Sequence, residues 1–299
     1  MPPIVIPIVG LAAILHAAWN VILKTSGDPV LVAFRLNLVS VMVAVPIVAA
    51  WWVANGSRPI PPEGFALVML SGFLEAAYFI ALSTAYRHGD LSVVYPIARG
   101  TAPLLAVVVG VLLFNEVLAP AGWLGVGCLL AGILIVGRPW LALRPRVGSE
   151  GRRLDPAVGF ALLTGVIIVT YSAVDRAGVR IVDPVVYGLL LFAVATLCLW
   201  VWIAIGRLRG SRGDDATGAP WGRSAVAGVI AFVGYMLVLV ALSIAPLVVV
   251  APLRESAIIL ASGWGAIRLG EATGRADATR RVGAAVLVAV GIGLLVVGG

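Results

Sequence analysis

The sequence predicts an all-α polytopic membrane protein, with ten transmembrane helices in two inverted five-helix repeats. Three observations carry that reading. The chain of 299 residues is 61% hydrophobic and 12% charged, whereas soluble domains are about 25% charged, so there is too little polar surface to cover a water-soluble globule. Its apolar residues come in runs of roughly 18 to 24, the length that crosses a hydrocarbon core. The halves also repeat. Gly10, Asn20, Asp28 and Pro29 recur 155 residues on as Gly165, Asp175, Asp183 and Pro184. Ala85, Leu91, Val93, Val94 and Pro96 recur 156 residues on as Ala241, Leu247, Val249, Val250 and Pro252. With five spans per copy, the second copy enters the bilayer from the opposite face, so a pseudo-two-fold axis lies in the membrane plane.

The spans follow in order. Span one, near 3–23, carries His16, Asn20 and Lys24 as one helical stripe with Trp19 beside it. Those polar residues and the missing basic n-region argue against a cleaved signal peptide. Span two (30–53) holds Arg35 a turn or two inside, where it can snorkel to the interface. Span three (64–86) carries Glu75 and Tyr78, and span four (91–114) carries Tyr95 and Arg99 between Pro96 and Pro103. Span five (119–137) is Ala, Val, Leu and Gly without charge. Repeat one is therefore 1–140, a basic linker is 141–155, and repeat two is 156–299.

Span six (156–174) places Tyr171 and Asp175 where span one has His16 and Asn20. Asp175, near the span end, reads as a cap or a solvated group. Span seven (184–206) holds Cys198, and span five Cys128; lone mid-span cysteines read as packing residues. Span eight (222–243) carries Tyr235. Span nine (247–268) carries Arg254 and Glu255 just after Pro252. Span ten (281–298) is as plain as span five, and the glycines of both permit close helix approach, either within one subunit or in a homodimer. Backbone groups in lipid must be satisfied within the segment, so all ten runs are expected as helices.

Fifteen lysines and arginines fall in the loops that join odd to even spans, and three (Arg58, Arg176, Arg180) in the others. The positive-inside rule then puts the basic loops, 138–155 included, in the cytoplasm of a bacterial-type inner membrane.

Charges at bilayer depth face a bundle interior or a cavity. Arg99 and Glu255 occupy equivalent positions at the 156-residue offset, so they are expected to face each other across the axis or to bind opposite ends of a zwitterion. Proline loosens backbone hydrogen bonding, which makes Pro96, Pro103 and Pro252 hinge candidates where transporters bind ligand. Charges and aromatic walls together suit an amphipathic organic molecule. The substrate-site candidates are His16, Trp19, Asn20, Tyr78, Tyr95, Arg99, Tyr171, Tyr235, Arg254 and Glu255. A plain alternative for His16 is a core histidine bonded to a neighbouring carbonyl. Proton coupling needs a group that titrates inside the membrane, and Glu75, Glu255 and His16 are the candidates.

Other chemistries find little support. Neither His16 nor His88 has an acid five residues on, Lys24-Thr25 lacks the preceding glycine of a P-loop, and no Cys/His cluster has metal spacing. No catalytic residue, cofactor or metal is expected, and nucleic acid has no folded domain to meet. The expected partners are a small-molecule substrate and the bilayer.

HAAWN at 16–20 with Lys24, YPIARGTAPLLAVVVGVLLFNE at 95–116 and APLRES at 251–256 with Gly270-Glu271 resemble the drug/metabolite transporter superfamily, in its EamA-type branch, over nearly the whole chain. The resemblance implies that spans one to four and six to nine surround a central cavity, with five and ten outside. It implies a secondary carrier and a structural role for Glu116 and Glu271. Family members usually keep both termini in the cytoplasm, and here the arginines argue the reverse. The leading expectation is a non-ATP exporter of amino acids or related metabolites. A membrane enzyme acting on a lipid-linked substrate, a multidrug exporter of the same fold and a non-transporting scaffold are the alternatives.

Overall fold

The computed structural model describes residues 2–24, 27–56, 59–88, 91–137, 156–210, 220–255 and 274–298. They form ten helices: α1 (Val5–Lys24), α2 (Pro29–Asn55), α3 (Pro62–His88), α4 (Leu91–Phe114), α5 (Pro120–Gly137), α6 (Pro156–Gly178), α7 (Pro184–Leu208), α8 (Trp221–Ile244), α9 (Leu247–Glu255) and α10 (Arg275–Gly298). Among the described residues, seven of them are long and apolar enough to cross a bilayer: α2, α3, α4, α6, α7, α8 and α10. Helices α1 and α5 are shorter apolar segments. The expected ninth span is described only as far as Glu255.

The repeated Asp-Pro pairs start helices. Asp28 accepts hydrogen bonds from the Val30 and Leu31 N–H groups at 2.8 and 3.3 Å, with Pro29 in the first turn of α2. Asp183 accepts from the Val185 N–H at 2.9 Å, with Pro184 opening α7. A carboxylate supplies the acceptor that the first turn lacks, and proline needs no donor there.

Packing repeats with the halves exchanged. Helix α1 lies against α8 as α6 lies against α3; α1 meets α9 as α6 meets α4; α2 meets α8 as α7 meets α3. Three further pairs, α2·α7, α4·α9 and α5·α10, join each helix to its own counterpart. A two-fold relation requires this pattern.

The main core lies among α1 to α4 and α6 to α9, around Leu36, Phe79, Leu191 and Leu239. A smaller cluster around Val126, Leu129, Val288 and Leu295 joins α5 to α10. There a Cβ added to Gly125 would lie 2.8 Å from the Gly291 carbonyl oxygen, and one added to Gly291 would lie 2.8 Å from that of Gly125. These glycines are used up in bringing two helices of one chain together, which is the intramolecular reading of their pattern. Cys128 and Cys198 are unpaired and partly buried. Met42, Leu70, Leu112, Leu124, Leu197 and Val286 point outward, as hydrocarbon solvent demands.

Candidate functional site

A small cavity of about 10 Å³ lies where α1, α2, α3, α4, α6, α7 and α8 converge. That is room for about one water molecule. Of the sequence-predicted residues, His16, Trp19, Tyr78, Arg99, Tyr171, Tyr235 and Glu75 line it. Leu36, Phe79, Phe192 and Ala231 complete the wall. The aromatic rings form a connected sheath. Tyr78 and Tyr171 meet edge to face with centroids 6.0 Å apart, Tyr171 and Tyr235 are 6.3 Å apart, and Phe192 meets Tyr235 at 5.5 Å. Trp19 lies 6.0 Å from Phe79, and His16 6.4 Å from Tyr235.

Arg99, itself part of this wall, meets Glu255. Arg99 Nη1 donates to both Glu255 oxygens at 3.0 and 3.1 Å, and its Nη2 donates to the Tyr78 hydroxyl at 3.4 Å. Arg254 Nε donates to Glu255 Oε1 at 3.0 Å. All three charged groups are buried. One carboxylate is thus shared by two guanidiniums, one from each repeat. Helix α4 stays helical through Pro96 and Pro103, and α9 through Pro252. The side chains of Tyr95, Pro96 and Lys24 lie outside the described residues, as does Glu271.

The other candidates have local partners. His16 Nδ1 lies 2.8 Å from the Ala12 carbonyl, which makes that nitrogen the donor, as the core-histidine alternative anticipates. Asn20 does not line the cavity; its Nδ2 donates to the His16 carbonyl at 2.7 Å. Arg35 stacks over the Trp221 ring at 4.6 Å, so it is held at the start of α8. Glu75 is buried and its Oε2 has no protein partner; the same is true of Trp19 Nε1.

Two sequence readings need correction. Asp175 is neither a cap nor solvated. It is buried and accepts hydrogen bonds from Ser71, from the Tyr187 hydroxyl at 3.0 Å and from the Tyr235 hydroxyl at 2.6 Å. One carboxylate therefore ties α6 to α3, α7 and α8. Arg176 is not a loop residue but is buried in α6. Its Nε donates to Glu116 at 3.2 Å and its Nη1 to the Leu242 carbonyl at 2.7 Å. Glu116 in turn accepts from the Leu247 and Val248 N–H groups at 2.8 and 3.0 Å, so it caps the start of α9. Asn115 sets this up by adopting φ 49°, a left-handed value that asparagine tolerates. The spacing of Ser71, Glu75 and Tyr78 on one face of α3 was the available signal for the Asp175 side of the site.

A larger cleft of about 350 Å³, between the end of α2 and the turn before α7, is lined by Trp51, Trp52, Arg180 and Asp183. Glu75, Arg99, Arg254 and Glu255 are not among its lining residues. Its exposed tryptophans have the character of an interfacial belt.

The chain is similar to known proteins in three respects. Over 72 residues, the chain is 40% identical to the spermidine export protein MdtI of Shigella flexneri and 38% identical to that of Salmonella paratyphi B. Those matches cover 24% of this chain and 64% of each relative's own length. A solved crystal structure superposes over 97% of this chain and 94% of its own, with TM-score 0.67 at 18% identity, which is a likeness of fold. Finally, residues 4–138, from the start of α1 to the end of α5, match the EamA-like transporter family, the family that the motifs of spans one and four resemble.

Proposed function

We propose that this chain is a secondary transporter of small organic metabolites, and an exporter of amino acids or related amphipathic solutes. The repeats, 1–140 and 156–299, rock against each other around the central cavity and expose it to one side at a time. The observation that carries this reading is the Arg99–Glu255 pair, which joins the two repeats beside an aromatic-walled cavity. Carriers built from inverted repeats place substrate at such an interface.

The substrate class follows from charge. Spermidine, named for the curated relatives, is a polycation. Here Arg99 and Arg254 crowd the site and leave Glu255 already shared between them. A molecule that offers both an ammonium and a carboxylate suits that balance better than one with several ammonium groups. The excess of basic residues in the odd-to-even loops favours a cytoplasmic position for those loops, and hence outside termini.

Counterflow in proteoliposomes tests the reading. Vesicles preloaded with amino acids should accumulate a labelled amino acid above protein-free vesicles, and spermidine should compete weakly. If no solute accumulates above the control, a scaffold or an enzyme becomes the better account.

A further inference from the structure

Two buried polar atoms in the central cavity have no protein partner, and they are complementary. Glu75 Oε2 on α3 is an acceptor, and Trp19 Nε1 on α1 is a donor. Both side chains are more than nine-tenths buried, with 4% and 5% of their surface exposed, and both line the same cavity. A buried carboxylate oxygen and a buried indole N–H left without partners are costly in ordinary packing, so the pattern points to a ligand that supplies both bonds. The remaining carboxylates of this region do not share the trait. Glu255 has guanidinium nitrogens on both oxygens, and Asp175 has hydroxyl donors on both.

We infer that Glu75 and Trp19 anchor the two ends of the substrate's polar head, Glu75 receiving its ammonium group and Trp19 donating to its carboxylate. This rests on the transport reading above and sharpens it in one respect. The sequence offers Glu255 either as the pair of Arg99 or as the partner for a zwitterion's cation; since Glu255 is paired with Arg99, the cation's task falls to Glu75. The surrounding rings of Tyr78, Phe79 and Tyr171 provide negative faces for the ammonium and an apolar seat for the side chain. Because the cavity holds only about 10 Å³, too little for such a head, the helices must part to admit it, and closing on it then completes both bonds.

The test uses the purified full chain and three probes: phenylalanine, phenethylamine (which lacks the carboxylate) and 3-phenylpropionate (which lacks the amine). Binding is read by ligand-induced thermal stabilisation, and transport by proteoliposome flux. Wild type should prefer phenylalanine over both partial analogues. Glu75→Gln should weaken phenylalanine and phenethylamine at least tenfold and leave 3-phenylpropionate unchanged. Trp19→Phe should weaken phenylalanine and 3-phenylpropionate and leave phenethylamine unchanged. The unaffected probe in each variant shows that the protein still folds. If wild type moves phenylalanine but both variants keep its half-saturation, the anchoring inference is wrong while the transport reading survives. If wild type neither binds nor moves phenylalanine, the anchoring inference is overturned, and the counterflow measurement alone then decides whether the chain transports.

Discussion

Neutralising Glu255 and neutralising Arg99 should have unequal costs, although the two residues form one salt bridge. Glu255 carries the single negative charge between two guanidiniums, at 3.0 Å from Arg99 and 3.0 Å from Arg254. At a separation of about 4 Å and an effective dielectric near 20, one such attraction is worth about 4 kcal/mol before desolvation is counted. Glu255→Gln removes both attractions and leaves two cations facing each other. Breaking a buried pair costs about 3–5 kcal/mol, and this variant should sit at the upper end. Arg99→Gln leaves Glu255 its bonds with Arg254 and loses one charged hydrogen-bond set, about 1.5–3 kcal/mol. The double variant Arg99→Gln/Glu255→Gln removes the facing cation as well, so it should be more stable than Glu255→Gln alone. Unfolding by SDS titration in mixed micelles, followed by tryptophan fluorescence, gives the three values. The nine tryptophans supply ample signal. Equal costs for the two single variants, or a double variant worse than Glu255→Gln, would refute the shared-carboxylate argument.

Three further outcomes are expected. Glu116→Ala strips two backbone N–H groups of α9 and the Arg176 guanidinium of their acceptor, and should cost about 3–5 kcal/mol in the same titration; Glu116→Gln, which keeps one acceptor, should cost clearly less. Gly178→Ala would drive a methyl group into the Tyr187 ring and displace its hydroxyl from Asp175, with an expected loss of about 1–3 kcal/mol in thermal or SDS unfolding; a variant as stable as wild type would mean the ring has room to shift. A cysteine placed at Ser149 in a background lacking Cys128 and Cys198 should resist an impermeant thiol reagent in intact cells and react after lysis, because basic loops are retained in the cytoplasm; ready labelling in intact cells would reverse the orientation.

Much of this arrangement can be read from the sequence, because the signals concerned are local or repeated. Apolar run length marks the spans, and Asp-Pro marks the start of α2 and α7 through capping chemistry confined to three residues. The 156-residue offset places Arg99 opposite Glu255 because a two-fold axis maps equivalent positions onto each other. Asp175 was misread for the opposite reason. An acid near a helix end is normally solvated, and nothing local announces that Ser71, Tyr187 and Tyr235 converge on it from 104, 12 and 60 residues away. Arg176 was hidden in the same way, since its partners lie at 60 and 66 residues' separation. Periodicity tells which face of a helix is inward; it does not tell which neighbour that face will meet.

The meeting of Arg99 with Glu255 at equivalent positions has a consequence for how such a molecule can be assembled. Two identical chains inserted in opposite directions would place the same residue on both sides of their shared axis. Arginine would then confront arginine, or glutamate would confront glutamate, and a buried like-charge contact repels as strongly as this one attracts. Joining the two copies into one chain removes that restriction, because each copy can change independently. Here position 99 is a cation and its counterpart 255 an anion, so the seam between the halves is polarised in a way that no pair of identical subunits could reproduce.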